Sequence, residues 1–234
     1  MPSTACILQS RLSLGPIPAF DLNAACSGWL YAVAMAQSMI HSRMARHVLT
    51  VGVDMQSHLL DRQDHSTCFI FGDGAGAAII GAGAEGHRVH RIVFGADVRG
   101  IHMARRHAPG YLIQNGSSDV DPWIRLDGPA LFRFATESFT QVIRDVIAKS
   151  GWKPEDTRWV IPHQANGRIL KAAAKRSGVP FERFFLNVER VGNTSSASIP
   201  LAIIEAESSL KSGDKLVLCS VGAGATMAAV SVEW

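Results

Sequence analysis

The chain has 234 residues, 47% of them apolar and 18% charged, with a formal net charge of +3. That length supports a core without disulfide or metal staples, and the composition excludes an intrinsically disordered chain. A charge of +3 spread so thinly is not the footprint of a nucleic-acid binder, so no nucleic-acid partner is expected.

Taken in chain order, residues 4–12 read as a helical stretch, 17–23 as a strand and 27–41 as a helix. Residues 47–54, 77–81 and 87–97 read as strands, and 131–150 as a long amphipathic helix. A strand at 158–162, a helix at 166–177, a strand at 184–188 and a helix at 195–210 follow. Strands at 215–220 and 226–233 close the chain. Interleaved this way, strands and helices predict an α/β protein whose sheets are covered by helices. Between the halves, the stretch 99–121 carries Pro109, Gly110 and Gly116 and reads as an exposed loop region. The uncharged run 22–42 reaches membrane-spanning length, but Asn23, Gln37, His41 and several serines fit a buried strand and helix better. The amino terminus shows no basic segment followed by an apolar one, so no secretory signal and no membrane partner are expected.

Four cysteines, Cys6, Cys26, Cys68 and Cys219, stand far apart, with no C-x-x-C pair and no metal-ligand spacing. No metal site is expected. Three of them lie among apolar or small residues and read as buried thiols, which suits a reducing cytoplasm.

A weak internal repeat organises the rest. Phe71-Gly72-Asp73-Gly74-Ala75-Gly76-Ala77-Ala78-Ile79-Ile80 resembles Val221-Gly222-Ala223-Gly224-Ala225-Thr226-Met227-Ala228-Ala229-Val230. The chain reads as two copies of one α/β module, 1–98 and 128–234, joined by a connecting region at 99–127. Ahead of its repeat the second copy has more elements than the first, so the first module reads as shortened at its start.

Three polar residues stand at strand-to-helix junctions, the places where α/β folds build active sites. Cys26 ends Ala24-Ala25 and opens an apolar helix, where unpaired N–H groups and the helix dipole favour a thiolate. A buried structural cysteine is the competing reading, and position alone leaves both open. His163 follows the strand ending at Pro162 and precedes Gln164-Ala165-Asn166. Asn193 lies in Gly192-Asn193-Thr194-Ser195-Ser196-Ala197-Ser198, which also reads simply as a helix cap. Their convergence is the signal. The glycine runs at 72–76 and 222–224 precede strand-like segments rather than helices, so they are not phosphate loops. Close backbone approach, with N–H groups available to an oxyanion, is their better use. Beyond His163, Arg168, Lys171 and Lys175 share one helical face while Ile169, Leu170 and Ala173 turn elsewhere. Such a basic face is either an ordinary solvated one or suited to a partner carrying substrate on a phosphate-bearing arm.

Together Ala24-Ala25-Cys26-Ser27-Gly28, Phe71-Gly72-Asp73-Gly74-Ala75-Gly76-Ala77, Pro162-His163-Gln164-Ala165-Asn166 and Gly192-Asn193-Thr194-Ser195 resemble β-ketoacyl-[acyl-carrier-protein] synthase III of the thiolase superfamily. They come in that family's order and span nearly the whole chain. The resemblance implies a thiolase-like fold, two related α/β modules layered αβαβα, with the family's opening segment without a counterpart here. It implies Cys26 as the nucleophile that takes an acyl group from acyl-CoA, with His163 and Asn193 bonding the thioester carbonyl of malonyl-carrier protein. The backbone N–H groups of Cys26 and Ala223 correspond to an oxyanion hole. Gly128 and Phe132 match pantetheine-channel positions, and Arg133, Arg168, Lys171 and Lys175 carrier-protein contacts. No cofactor is implied, and a cytoplasmic homodimer is. One departure bears on the acyl pocket: Ala225 follows Gly224 where the family has an aromatic residue. Two other readings stay open, a priming enzyme of polyketide metabolism and a non-catalytic remnant that binds carrier protein.

Overall fold

The computed structural model describes residues 2–83, 86–106 and 121–234. Of the connecting region expected at 99–127, residues 107–120 lie outside the described residues.

Two sheets carry the architecture. In the first, β1 (His47–Met55) pairs antiparallel with β2 (Asp73–Gly81) in an unbroken register from His47↔Gly81 to Met55↔Asp73. The second holds β3 (Arg88–Ala96), β6 (Thr157–Pro162), β7 (Lys215–Gly222) and β8 (Thr226–Glu233) in the order β3-β8-β7-β6. Only β6 and β7 run parallel. Between β3 and β6 along the chain, β4 (Ala104–Arg105) and β5 (Arg125–Leu126) form a small separate pair that sequence periodicity does not reveal. β1–β2 and β7–β8, the strand pairs that hold the two segments of the internal repeat, are both antiparallel. β3 lies in the part of the chain read as the first module, yet it hydrogen-bonds to β8 and completes the second sheet.

Among the described residues, six helices dress these sheets. α1 (Thr4–Arg11) buries none of its residues, and its first two N–H groups bind the Asp21 carboxylate at 2.8 Å each. Between the sheets lie α2 (Gly28–His41) and α6 (Ser198–Ala206). Trp29, Leu30 and Val33 of α2 and Ile199, Ala202 and Ala206 of α6 pack with Leu216, Leu218, Ala228 and Val230, while Ala78 and Ile80 of β2 close the layer from the other side. On the far side of the second sheet, α3 (Gly128–Lys149) and α4 (Gly167–Ser177) pack Phe139, Ile143, Val146, Leu170 and Ala173 against Val217 and Cys219. The first sheet's outer face, with Leu49, Val53, Met55 and Ile79, is uncovered. The layers therefore run sheet, helices, sheet, helices.

Two expected strands are absent. Residues 17–23 form no regular element and join no ladder among the described residues, and a strand persists only where a neighbour pairs with it. Residues 184–188 make one bridge, Phe184↔Val160, before α5 (Val188–Val191) begins. There the Gln164 side chain takes the role of a ladder: its Oε1 accepts from the N–H groups of Asn187 and Val188, and its Nε2 donates to Phe185 O. Of the cysteines, only Cys219 is buried; Cys26 and Cys68 are half-buried and Cys6 is exposed, so the expectation of three buried thiols fails. Among the described residues no helix is long and apolar enough to cross a membrane.

Candidate active site

Cys26 stands in a tight 3-10 turn, Ala25–Ser27, that leads into α2. The turn is forced: Ala25 has φ +47°, a left-handed backbone that costs a non-glycine residue about 1–2 kcal/mol. Contacts from the second sheet hold it. Ser220 Oγ donates to Cys26 O at 3.0 Å, and Thr226 Oγ1 donates to Ala24 O at 2.7 Å. Gly222 makes the approach possible, since a Cβ there would lie 2.9 Å from Cys26 N and 3.0 Å from Ser27 N. The β7–β8 turn is thereby pressed against the sulfur, and the Ala223 and Cys26 N–H groups both face it. That is the pair of donors an oxyanion hole needs.

The helix end does not make Cys26 a thiolate. Burial pushes its thiol up and outweighs the Ser195 hydroxyl and the two backbone N–H groups that pull it down; the negative charge of Asp54 pushes it further up. The sequence-based expectation of a resting thiolate is corrected: desolvation wins, and the sulfur rests protonated.

His163 follows β6, its N–H bonded to Cys219 O at 2.7 Å, and is 1% exposed. Burial lowers its imidazole from the usual value to about 4, so it is neutral at pH 7. Nδ1 lies 2.7 Å from Ser198 Oγ, which also donates to Ser195 O at 2.8 Å. Asn193 reaches the same place from the other module's edge, bridging to Phe71, with its N–H on Ile70 O. Gly192 before it has φ +69°, and only glycine enters that turn without strain. Asn193 Oδ1 accepts from Ser195 N at 2.9 Å, which turns Nδ2 the other way; Nδ2 donates to no described protein group.

Ser195 is the residue that sequence reasoning missed. Its hydroxyl lies 3.5 Å from Cys26 Sγ, its N–H holds Asn193, and its carbonyl takes the hydroxyl that faces His163. Like Ala25 it has a positive φ, +52°. Asp54 of β1 pins the next residue, accepting from Ser196 N at 3.0 Å and Ser196 Oγ at 2.6 Å. The three residues singled out by their junctions are thus brought to one hub. The run Thr194-Ser195-Ser196-Ala197-Ser198 was the available signal, and reading it only as a cap concealed it.

The remaining candidates lie further out. Gly128, Phe132 and Arg133 occupy the exposed start of α3, Phe132 being 40% exposed. On α4, Arg168, Lys171 and Lys175 are exposed and Ile169, Leu170 and Ala173 buried, as their spacing predicts. Asn166 caps α4 through Oδ1 on Arg168 N at 2.9 Å. A cavity of about 760 Å³ between α2, β2 and the chain end is lined by Gln37, His41, Arg43, His87 and Trp234 and includes none of the three hub residues. Among the described residues no cluster of His, Cys, Asp and Glu is arranged to hold a metal ion.

Comparison with known proteins bears on the family and the fold. Residues 20–98 match the family model of 3-oxoacyl-[acyl-carrier-protein] synthase III, and residues 147–234 that of its C-terminal part. A β-ketoacyl-[acyl-carrier-protein] synthase III of Aquifex aeolicus is 40% identical over 235 residues, covering 100% of this chain and 72% of its own length. The solved structure of such a synthase from Thermus thermophilus superposes with a TM-score of 0.92 at 40% identity, over all of this chain and 73% of that one. The priming β-ketosynthase of the R1128 polyketide pathway gives 0.90 at 30% identity, over 100% of this chain and 70% of that one.

Proposed function

The chain belongs to the β-ketoacyl-[acyl-carrier-protein] synthase III family of acyl-transferring condensing enzymes with the thiolase-like fold, and from that premise we propose the chemistry of its site and its partners. Cys26 attacks the carbonyl of an acyl-CoA, forming a thioester on Sγ and releasing CoA. The tetrahedral oxyanion is held by the N–H groups of Cys26 and Ala223, both of which face the sulfur. Malonyl-carrier protein then binds with its thioester oxygen at Asn193 Nδ2 and His163 Nε2. Loss of CO2 leaves an enolate on that oxygen, and its carbon attacks the acyl group on Cys26. The sulfur is expelled and a 3-oxoacyl thioester leaves on the carrier. The basic stripe Arg168, Lys171 and Lys175, with Arg133, is the docking face for an acidic carrier protein, and Gly128 and Phe132 border the pantetheine arm. A cytoplasmic homodimer is part of this reading; four unpaired cysteines are consistent with a reducing compartment.

The observation that carries it is the single hub, Ser195, in contact with the sulfur, the carboxamide and the hydroxyl that holds the imidazole. A second reading, priming of a polyketide, has one feature in its favour. Ala225 is 4% exposed, and a Cβ at Gly100 would lie 2.5 Å from its own Cβ, so the loop is packed for a small residue where the family has an aromatic one. Intact-mass measurement after incubation with a panel of acyl-CoAs tests both. An acyl adduct is expected on the wild type and not on Cys26→Ala, and the acyl group that loads fastest reports the primer. No adduct with any acyl-CoA, together with retained carrier binding, would leave the non-catalytic remnant as the reading.

A further inference from the structure

We propose that Ser198 is a positioning residue: its hydroxyl fixes His163 as the Nδ1–H tautomer, so that Nε2 enters the reaction bare and serves as a relay for one proton at a time. The inference rests on the proposed condensation and deepens it.

The argument is an accounting of hydrogens. A carbonyl can only accept, so the single hydrogen of Ser198 Oγ lies on its 2.8 Å contact to Ser195 O. Toward His163 the same oxygen has only lone pairs left. Its 2.7 Å contact to Nδ1 is a hydrogen bond only if Nδ1 carries the hydrogen. No described protein group bonds Nε2. With the ring neutral, a protonated Nδ1 means an unprotonated Nε2.

This has a mechanistic consequence. A bare Nε2 cannot donate to the malonyl thioester oxygen, so it must first acquire a proton. The protonated group at the hub is the Cys26 thiol. As the Sγ–C bond forms, the thiol proton passes to Nε2 and from it to the CoA sulfur, which leaves with the electron pair of the broken C–S bond. As the C–CO2 bond of the malonyl group then breaks, Nε2 takes a proton from water and donates it to the thioester oxygen on which the enolate forms. When the new C–C bond expels the Cys26 sulfur, the proton returns to it. The turnover consumes one proton from solvent, and His163 and Cys26 end as they began. Ser198 stays bonded to Nδ1–H throughout, and both ring nitrogens carry hydrogen only while a proton is in transit.

The test is nitrogen-15 NMR of the full chain labelled at its nine histidines, with the His163 signals assigned by their loss in His163→Asn. The expected wild-type pattern at pH 7 has Nδ1 protonated and Nε2 bare. Ser198→Ala should show a mixture of tautomers, and Ser198→Thr should restore the single one. In parallel, kcat for condensation should fall on the order of ten- to a hundredfold in Ser198→Ala, as for loss of a group that orients a reacting imidazole, and recover in Ser198→Thr. KM for acyl-CoA should stay within about twofold, since a change confined to kcat marks a transition-state interaction. A bare Nδ1 in the wild type overturns the proposal, as does a Ser198→Ala protein with the wild-type spectrum and rate. If Ser198→Ala does not fold, the wild-type spectrum still decides. Absence of any acyl adduct on Cys26 would count against the condensation while leaving the tautomer readable.

Discussion

His163 shows how burial sets both the chemistry and the stability of the site. Its folded-state value of about 4 lies below the ordinary 6.5. Between those values the unfolded chain binds a proton that the folded chain refuses, so stability is lost as pH falls through that window. At about 1.4 kcal/mol per unit, His163 alone should cost about 2 kcal/mol on going from pH 7 to pH 5. Urea unfolding at the two pH values, compared between wild type and His163→Asn, checks this: the variant should lose correspondingly less. An equal loss in both would place the acid sensitivity elsewhere. Cys26, His163 and Asn193 were legible in the sequence because each closes a strand or opens a helix. Their supports were not. Ser195 meets Cys26 across 169 positions of chain, and Asp54 meets Ser196 across 142. Contacts of that range leave no periodicity, and nothing local distinguishes these hydroxyls from ordinary caps.

Among the elements, β1 and β2 matter for what their inner face lacks. Thr50, Gly52 and Asp54 face inward opposite Ala78, Gly76 and Gly74. The small residues let the turn carrying Ser195 lie almost on the sheet, and Asp54 then locks it. A Cβ on Gly52 would stand 2.5 Å from Ser196 O, and one on Gly76 2.7 Å from the Pro200 ring. Gly52→Ala must therefore push the turn away from β1. The expected cost is about 1–3 kcal/mol in urea unfolding, as for other overpacked sites, with slower acyl loading because Ser195 leaves the sulfur. Gly95→Ala is the control, since a Cβ there meets nothing within 4 Å. If both variants load at the wild-type rate, the close approach has no catalytic weight. The sequence reads the glycines at 72–76 as places of close backbone approach, because a strand-like segment follows them. Which backbone they admit depended on the partner layer. The same dependence explains the two strands wrongly expected: residues 17–23 and 184–188 have strand composition, but a strand exists only where a neighbour supplies its ladder.

At the scale of the whole molecule, the repeat allows the two sheets to be compared position by position. β1–β2 and β7–β8 are equivalent pairs, yet the second is flanked by β6 and β3 and covered on its outer side by α3 and α4, while the first presents its outer face to solvent. Leu49 and Ile79 stand directly opposite one another there, and Ile79 and Met55 are 70% and 61% exposed. An apolar sheet face with free edges is the surface through which a chain associates. Charging it should cost modest folding energy, because Ile79 is 70% and Leu49 42% exposed and the lysine stems cover part of the same surface. The double variant Leu49→Lys and Ile79→Lys is therefore expected to scatter less light at high concentration and to bind less of a hydrophobic dye than the wild type. Its unfolding midpoint should fall only modestly, and its acyl loading should be unaltered, because the face points away from the layer of α2 and α6 through which β1 reaches the hub. Equal scattering and dye binding in both proteins would show that this face is not the route of association. Slower loading in the charged variant would mean instead that the outer face steadies β1, and through Asp54 the turn that carries Ser195.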